Sequence, residues 1–250
     1  MKNFYTFKNL SQELKITHLI TQKDLTQPYQ FSLALHTQEN PSDIVKNRNF
    51  FNKKLPNMHF VVAHQNHGEH IHIITEPKSR GWNSLDTAID NCDSFITNQK
   101  NIMLTILTAD CVPILLFDRK EHVVAIVHAG WRGTQREIVS KTVRKMQKVF
   151  NSNPKNILAG IAPSIGKCCY QVDWNVTKFF KDIKGAYKNK GDKQMLDLPY
   201  INKKQLLNSG LHEKNIEMSN VCTACEVERF FSYREEKGCS GRFMSMIALT

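Results

Sequence analysis

Apolar runs of strand length, broken by single polar residues, dominate the middle of the chain. Residues 102–117 read IMLTILTADCVPILLF, two such runs interrupted by Asp110 and Cys111. HVVAIVHAG, residues 122–130, is another run, ending at a glycine. Uninterrupted runs bounded by turn residues mark strands covered on both faces. HFVVA (59–63) and HIHIIT (70–75) predict short strands on either side of an Asn66-His67-Gly68 turn. Residues 16–36 predict an irregular set of strands, with FSLAL (31–35) the clearest. NILAGIAP (156–163) predicts a strand entering a Gly/Pro turn, and FMSMIAL (243–249) a closing strand.

A different period marks the helices. Ile44, Val45, Phe50 and Phe51 recur at helical spacing over 42–55, with Ser42 as the expected N-cap. Ile138, Val139, Val143, Met146 and Phe150 line one face of a helix over 135–150. Residues 173–190 and 200–210 predict two more helices, and the lysine-rich stretch 181–194 a mobile insertion. Strands and helices mix without strict βαβ alternation, and no repeat is visible. The expected architecture is α/β: one domain over residues 1–250, with a mixed sheet flanked by helices.

Composition narrows the partners. The 250 residues are 41% hydrophobic, enough for a large core, and carry a formal charge of +11. The lysines are dispersed, no block of five like charges occurs, and few aromatics interleave with them. That is the pattern of a solvated surface, not of a nucleic-acid footprint. No apolar run reaches the length of a membrane span, and the first fifteen residues lack a signal-peptide core. Seven cysteines, an odd number, are expected as thiols of a cytoplasmic protein.

Three short motifs carry candidate chemistry. His67 lies in HQNHG, Cys111 in LTADCVPILL and His128 in VVAIVHAGWRGT, each at a break in an apolar run. Two imidazoles and a thiolate suit zinc, and three protein ligands leave a fourth position open, as in catalytic sites. His64, in the same segment, is a candidate to orient a ligand. Asp110, a carboxylate between apolar runs, must be paired, hydrated or working. Trp131 and Arg132 follow His128 as a candidate pocket wall and anion contact. GIAPSIGKCCYQVD (160–173) matches no phosphate-binding fingerprint, and adjacent Cys168 and Cys169 suit an ordinary disulfide poorly. Cys222 and Cys225 form a CxxC with no second CxxC, read as structural or incidental thiols. Arg229, Tyr233, Arg234 and Arg242 form either an anion-binding group or surface ion pairs.

In order, HQNHG (64–68), TADCVPILLFD (108–118), HAGWRGT (128–134), GIAPSIGKCCYQV (160–172), LDLPYINKKQLLNSG (196–210), CTACEVERFFSYR (222–234) and SGRF (240–243) resemble the laccase-domain family. Members have been called multicopper polyphenol oxidases and are described as purine nucleoside phosphorylases with adenosine deaminase activity. The resemblance implies a single α/β domain with zinc held at His67, Cys111 and His128. It implies phosphorolysis of adenosine, inosine, guanosine and methylthioadenosine, with purine nucleosides and phosphate as the small-molecule partners. Cys111 and Asp110 are then catalytic, and Arg48, in the family's Asn-Arg pair, joins Arg132 as a contact for phosphate or sugar. Family members carry an Arg and a Gly-Gly pair where this chain has ITQKDLTQ, and an Asn where it has Ala34. Two other enzymes stay open: a copper-dependent polyphenol oxidase, although only one His-Cys-His set is visible, and a metal-free cysteine hydrolase using Cys111. A non-enzymatic nucleoside binder is the remaining reading.

Overall fold

The computed structural model describes residues 4–238 and 241–250, in a mixed α/β arrangement with three sheets. The five-stranded sheet runs β1 (Phe4–Tyr5), β2 (Ile16–Thr21), β14 (Phe243–Leu249), β6 (Ile102–Thr108), β3 (His59–Val61). The six-stranded sheet runs β13 (Ile216–Met218), β9 (Ile157–Ile161), β7 (Val112–Asp118), β8 (Val123–Ala129), β5 (Ser94–Thr97), β4 (Ile71–Ile73). A small sheet joins β10 (Gln171–Val172), β12 (Lys193–Leu196) and β11 (Tyr187–Lys190). The α-helices in chain order are α1 (Lys8–Ser11), α2 (Pro41–Lys54), α3 (Trp131–Gln135), α4 (Ile138–Phe150), α5 (Trp174–Thr177) and α6 (Leu198–Asn208).

Side-chain alternation explains why the apolar runs are uninterrupted. In β6, Ile102, Leu104 and Ile106 face a central core shared with Leu115 and Phe117 of β7 and Val124 and Ile126 of β8. Met103 and Leu107 of β6 face the opposite side, where Phe51 of α2 and Phe31 cover the five-stranded sheet. Val112, Ile114 and Leu116 of β7 likewise face α4 and α6 through Val143, Met146, Ile201 and Leu206. The two large sheets are therefore stacked, each with helices on its outer face. A strand covered on both sides cannot alternate apolar with polar.

This stacking replaces the single mixed sheet expected from the sequence. HFVVA and HIHIIT do become strands, but they do not pair. β3 lies parallel to β6 in one sheet, and β4 lies parallel to β5 in the other. The chain crosses between sheets in residues 62–70, and again in residues 109–111 between β6 and β7. Both crossings carry a candidate ligand.

Other expectations are also corrected. FSLAL is no strand: residues Pro28–Phe31 form a 3-10 turn, with Tyr29, Gln30 and Phe31 at positive φ. The helix at 42–55 exists as α2, but Asn40 caps it, accepting from the Ser42 N–H at 3.0 Å. Residues 173–190 are helical only at their start. The lysine-rich stretch is an ordered hairpin, β11–β12, with Lys190 paired to Lys193 across Gly191 and Asp192. Gly191, at φ +61°, supplies the left-handed residue that a two-residue hairpin loop needs. No helix among the described residues is long and apolar enough to cross a membrane.

Candidate metal centre and cavity

His67 and Cys111 are delivered by two of the crossings between sheets, and His128 by the end of β8. One ligand atom from each lies within 4.8 Å of the others. The His67 and His128 rings are 4.8 Å apart between centroids and steeply inclined. Tight backbone turns make this convergence possible. His67 has φ +60° and Asp110 φ +95°, conformations that cost a non-glycine residue roughly 1–2 kcal/mol each. Gln65 holds the first crossing in place: its amide donates to the Leu107 carbonyl at 2.8 Å and accepts from the Leu107 N–H at 2.9 Å. Gly130 leaves the space. A Cβ there would sit 3.0 Å from His67 Cδ2 and 3.1 Å from Cys111 Sγ.

Asp93 organises the trio. It is fully buried, and its Oδ1 lies 2.7 Å from His128 Nδ1. The same carboxylate accepts from the His67 N–H at 3.1 Å and the Gly68 N–H at 2.7 Å. Held this way at Nδ1, His128 presents Nε2 to the ligand cluster, the usual carboxylate support of a metal-binding histidine. Burial works against the Asp93 charge, but His128 and the two amides outweigh it and lower its pKa. Asp93 was missed from the sequence, where His64 stood in that role. His64 instead lies exposed, with Nε2 3.2 Å from the Leu85 carbonyl.

Cys111 and His128 shift one another. Burial alone would push the Cys111 thiol up, but His128 and then His67 bring it down to about 6. Burial alone would lower His128, yet the Cys111 thiolate and Asp93 raise it to about 9. Each of the two thus favours the charged form of the other. Two nitrogen donors and one sulfur donor whose thiolate form is favoured by its neighbours fit zinc, and three ligands leave one position for a reactant.

The trio opens into a cavity of about 630 Å³, within the range of small-molecule sites. His36, Gln65, Thr108, Trp131, Tyr170, Tyr233, Arg234 and Arg242 share its walls. Asp110 also lines it, but each carboxylate oxygen already has a protein partner. Oδ1 accepts from the Thr223 hydroxyl and Oδ2 from the Arg234 N–H, both at 2.7 Å. Burial pushes the Tyr170 phenol up, which keeps it a hydrogen-bond donor at neutral pH. Of the C-terminal anion-binding candidates, Tyr233, Arg234 and Arg242 reach the cavity; Arg229 instead pairs with Glu226. Ser240, in the SGRF motif, lies outside the described residues.

Two predicted substrate contacts are placed elsewhere. Arg48 is a fully buried residue of α2 and does not line the cavity. Its guanidinium donates to the carbonyls of Leu33, Gly81 and Trp82 at 2.6–2.9 Å, and it packs 5.0 Å from the Trp82 ring. These bonds tie three segments together and leave nothing facing a substrate. Arg48→Met should therefore destabilise the fold by about 3–5 kcal/mol, because three carbonyls lose their donors. Urea unfolding measures this; a loss of phosphate affinity at unchanged stability would return Arg48 to the substrate. Arg132 is exposed on α3, its guanidinium 4.4 Å over the Trp131 ring, and it too is absent from the cavity wall.

A second group of ligand-type side chains was not anticipated. Cys168 and Cys169 meet Cys222 and Cys225, with all four sulfurs within 4.8 Å of one another. Each pair was visible in the sequence, but they are brought together by pairing between Ser164 and Cys222. Either group could hold a metal ion.

A purine nucleoside phosphorylase of Bacillus subtilis (strain 168), YlmD, is 34% identical over 226 residues, covering 86% of this chain and 81% of that one. A purine nucleoside phosphorylase of Escherichia coli (strain K12), YfiH, is 33% identical over 230 residues, covering 89% and 88%. The crystal structure of the Bacillus licheniformis hypothetical protein YfiH superposes with a TM-score of 0.92 at 30% identity, covering 100% of this chain and 97% of that one. YlmD from Geobacillus stearothermophilus superposes with a TM-score of 0.90 at 29% identity, covering 94% and 92%. The model of the multi-copper polyphenol oxidoreductase laccase family matches residues 20–250. By that match, and by relatives sharing about a third of its residues, the chain belongs to this laccase-domain family.

Proposed function

We propose that this chain is a zinc-dependent purine nucleoside phosphorylase that also deaminates adenosine. The observation that carries the reading is the convergence of His67, Cys111 and His128 at a nucleoside-sized cavity walled by aromatic rings and arginines. Relatives named purine nucleoside phosphorylases, aligned over most of both chains, point the same way. A zinc ion held by the trio would supply Lewis acidity, the chemistry that hydrolytic loss of adenosine's amino group requires.

Phosphorolysis breaks the C1′–N9 bond of the nucleoside and forms a C1′–O bond to phosphate, while the departing purine takes up a proton. The chain's own side chains divide the remaining tasks. Trp131, Tyr170 and Tyr233 provide aromatic surfaces against which a purine can stack. Arg242, which lines the cavity and donates to the Gly241 carbonyl, is the residue assigned to hold phosphate, its charge opposing loss of the anion. Asp110 retains a lone pair on each oxygen beyond the bonds to Thr223 and Arg234, enough to take or return a proton at the purine. Its two bonds also keep it oriented towards the cavity wall.

Arg242→Ala should raise the KM for phosphate about 10-fold or more with little change in kcat, since the lost contact exists before and during the reaction. Initial rates against phosphate concentration test this; an unchanged KM would move the anion site elsewhere. The wider test is incubation of zinc-loaded protein with adenosine, with and without phosphate, followed by product separation. The expected products are adenine and ribose 1-phosphate only when phosphate is present, and inosine without it. Absence of both would overturn the proposal. The oxidase alternative needs several imidazole-rich copper sites, whereas the second ligand group here is all thiol. The hydrolase alternative predicts full activity after zinc chelation; loss of activity on chelation, restored by zinc, is the result expected here.

A further inference from the structure

We propose that Cys168, Cys169, Cys222 and Cys225 form a second, closed zinc centre that clamps residues 164–172 to residues 222–234 and so fixes one wall of the cavity. The cluster lies outside the His67–Cys111–His128 site and contains only sulfur donors. Cys225 Sγ is 3.5 Å from Cys168 Sγ and 3.4 Å from Cys169 Sγ. These separations are far too long for a disulfide, whose sulfurs are about 2.05 Å apart. They are close to the edge of a tetrahedron of sulfurs around one ion, about 3.8 Å for bonds of about 2.3 Å. A [4Fe–4S] cluster binds each cysteine to a different iron and a [2Fe–2S] cluster binds two to each iron, and both spread the four sulfurs farther, so a single ion is favoured.

The local backbone is arranged for such a site. The N–H groups of Cys169 and Tyr170 both donate to the Gly166 carbonyl at 3.0 Å, forming a turn at the adjacent cysteines. The N–H groups of Cys225 and Glu226 both donate to the Cys222 carbonyl, at 3.1 and 3.0 Å, so the CxxC lies on a turn as well. The Gly166 N–H points at Cys222 Sγ at 3.2 Å, a hydrogen bond that favours thiolate. Gly166 must stay small: a Cβ would lie 3.2 Å from Cys222 Cβ and 3.3 Å from Cys168 Sγ. Four protein ligands leave no open position, which makes this a structural site. Metal binding displaces the thiol protons to solvent and involves no change of oxidation state.

The two clamped segments serve the cavity. The first supplies Ile165 and Tyr170, the second Tyr233 and Arg234. Arg234 bonds back to the Gln171 carbonyl at 3.0 Å, and the second segment also holds Asp110 through Thr223 and Arg234. Losing the clamp frees both ends of this network together.

Metal analysis of the full chain tests the proposal. Wild-type protein should carry about two zinc ions per chain after gel filtration. Cys168→Ser/Cys225→Ser should carry about one, and lose more than roughly 5 °C in melting temperature. His67→Ala, which leaves the cysteines untouched, should also carry about one. Loaded with cobalt, it should show the visible bands of tetrahedral tetrathiolate coordination, which keeps the proposal testable even where the serine variant fails to fold. One zinc in the wild type, retained in the serine variant, would overturn the proposal. So would a thiol count short by two before reduction, or the broad brown absorbance of an iron–sulfur cluster. Because the His67→Ala readout is metal content and spectrum, it is independent of whether the chain phosphorolyses nucleosides.

Discussion

Cys111→Ala should lower kcat/KM for nucleoside phosphorolysis by on the order of 10³-fold or more while leaving the protein folded. Cys111 is the single anionic donor of the trio, and its sulfur lies within 4.8 Å of ligand atoms on both histidines. Removing it leaves two imidazoles, a much weaker zinc site at neutral pH. The same change withdraws the thiolate that helps raise His128 to about 9, so more of that ring becomes neutral near pH 7. Neutral imidazole is the ligating form, yet two neutral rings without a thiolate do not restore the lost donor. The deleted side chain is small, so the stability cost should stay near 1 kcal/mol. Metal content, melting temperature and kcat/KM measured on the same preparation separate these effects. Full activity with undiminished zinc would remove Cys111 from the site.

Asp93→Asn has the next largest expected effect, a loss of about 10–100-fold in zinc affinity and in kcat/KM. The carboxylate receives three protein groups at once: His128 Nδ1, the His67 N–H and the Gly68 N–H. An asparagine has one acceptor oxygen and one donor nitrogen. Whichever way the amide faces, a donor meets a donor at one of the three contacts. His128 then loses the charged partner that fixes its tautomer and leaves Nε2 to the ligand cluster. Asp110→Asn is the matched control, because Asp110 bonds to Thr223 and Arg234 and to none of the ligands. It should lower kcat without altering zinc affinity. Competitive titration of zinc with a chelator distinguishes the two; equal zinc affinity in wild type and Asp93→Asn would contradict the assignment.

The difference between Asp93 and the three ligands explains how far the sequence could be read. His67, Cys111 and His128 each break or end an apolar run, and a chemically suited residue at such a break is visible without knowing its neighbours. Asp93 meets His128 only because β5 pairs antiparallel with β8, setting Ser94 opposite Val127. That register brings together two residues 35 positions apart, Asp93 and His128, and no local pattern encodes it. Arg48 was misplaced for a related reason. Helical periodicity shows which face of α2 is apolar, but not that carbonyls of Leu33, Gly81 and Trp82 converge on a cation at its edge.

The long buried strands β6, β7, β8, β9 and β14 were readable from the apolar runs, whereas β5 and β13 were not, and neither was strand partnership. Adjacent runs in sequence, β3 with β4 and β6 with β7, go to opposite sheets, so the expected single sheet became two stacked ones. The ligand-bearing crossings are a consequence of that division. The β11–β12 hairpin carried a legible signal, Gly191 before Asp192, which its many lysines obscured. The four clustered cysteines were each seen in pairs. Their meeting depends on the bridge between Ser164 and Cys222, another long-range contact.

Anomalous diffraction at the zinc edge, from crystals of catalytically active full-length protein, addresses the trio most directly. The expected map has a peak about 2.0–2.3 Å from a ring nitrogen of His67, Cys111 Sγ and His128 Nε2, facing the cavity. A map with no peak among these three atoms, from protein that still phosphorolyses nucleosides, would contradict the account.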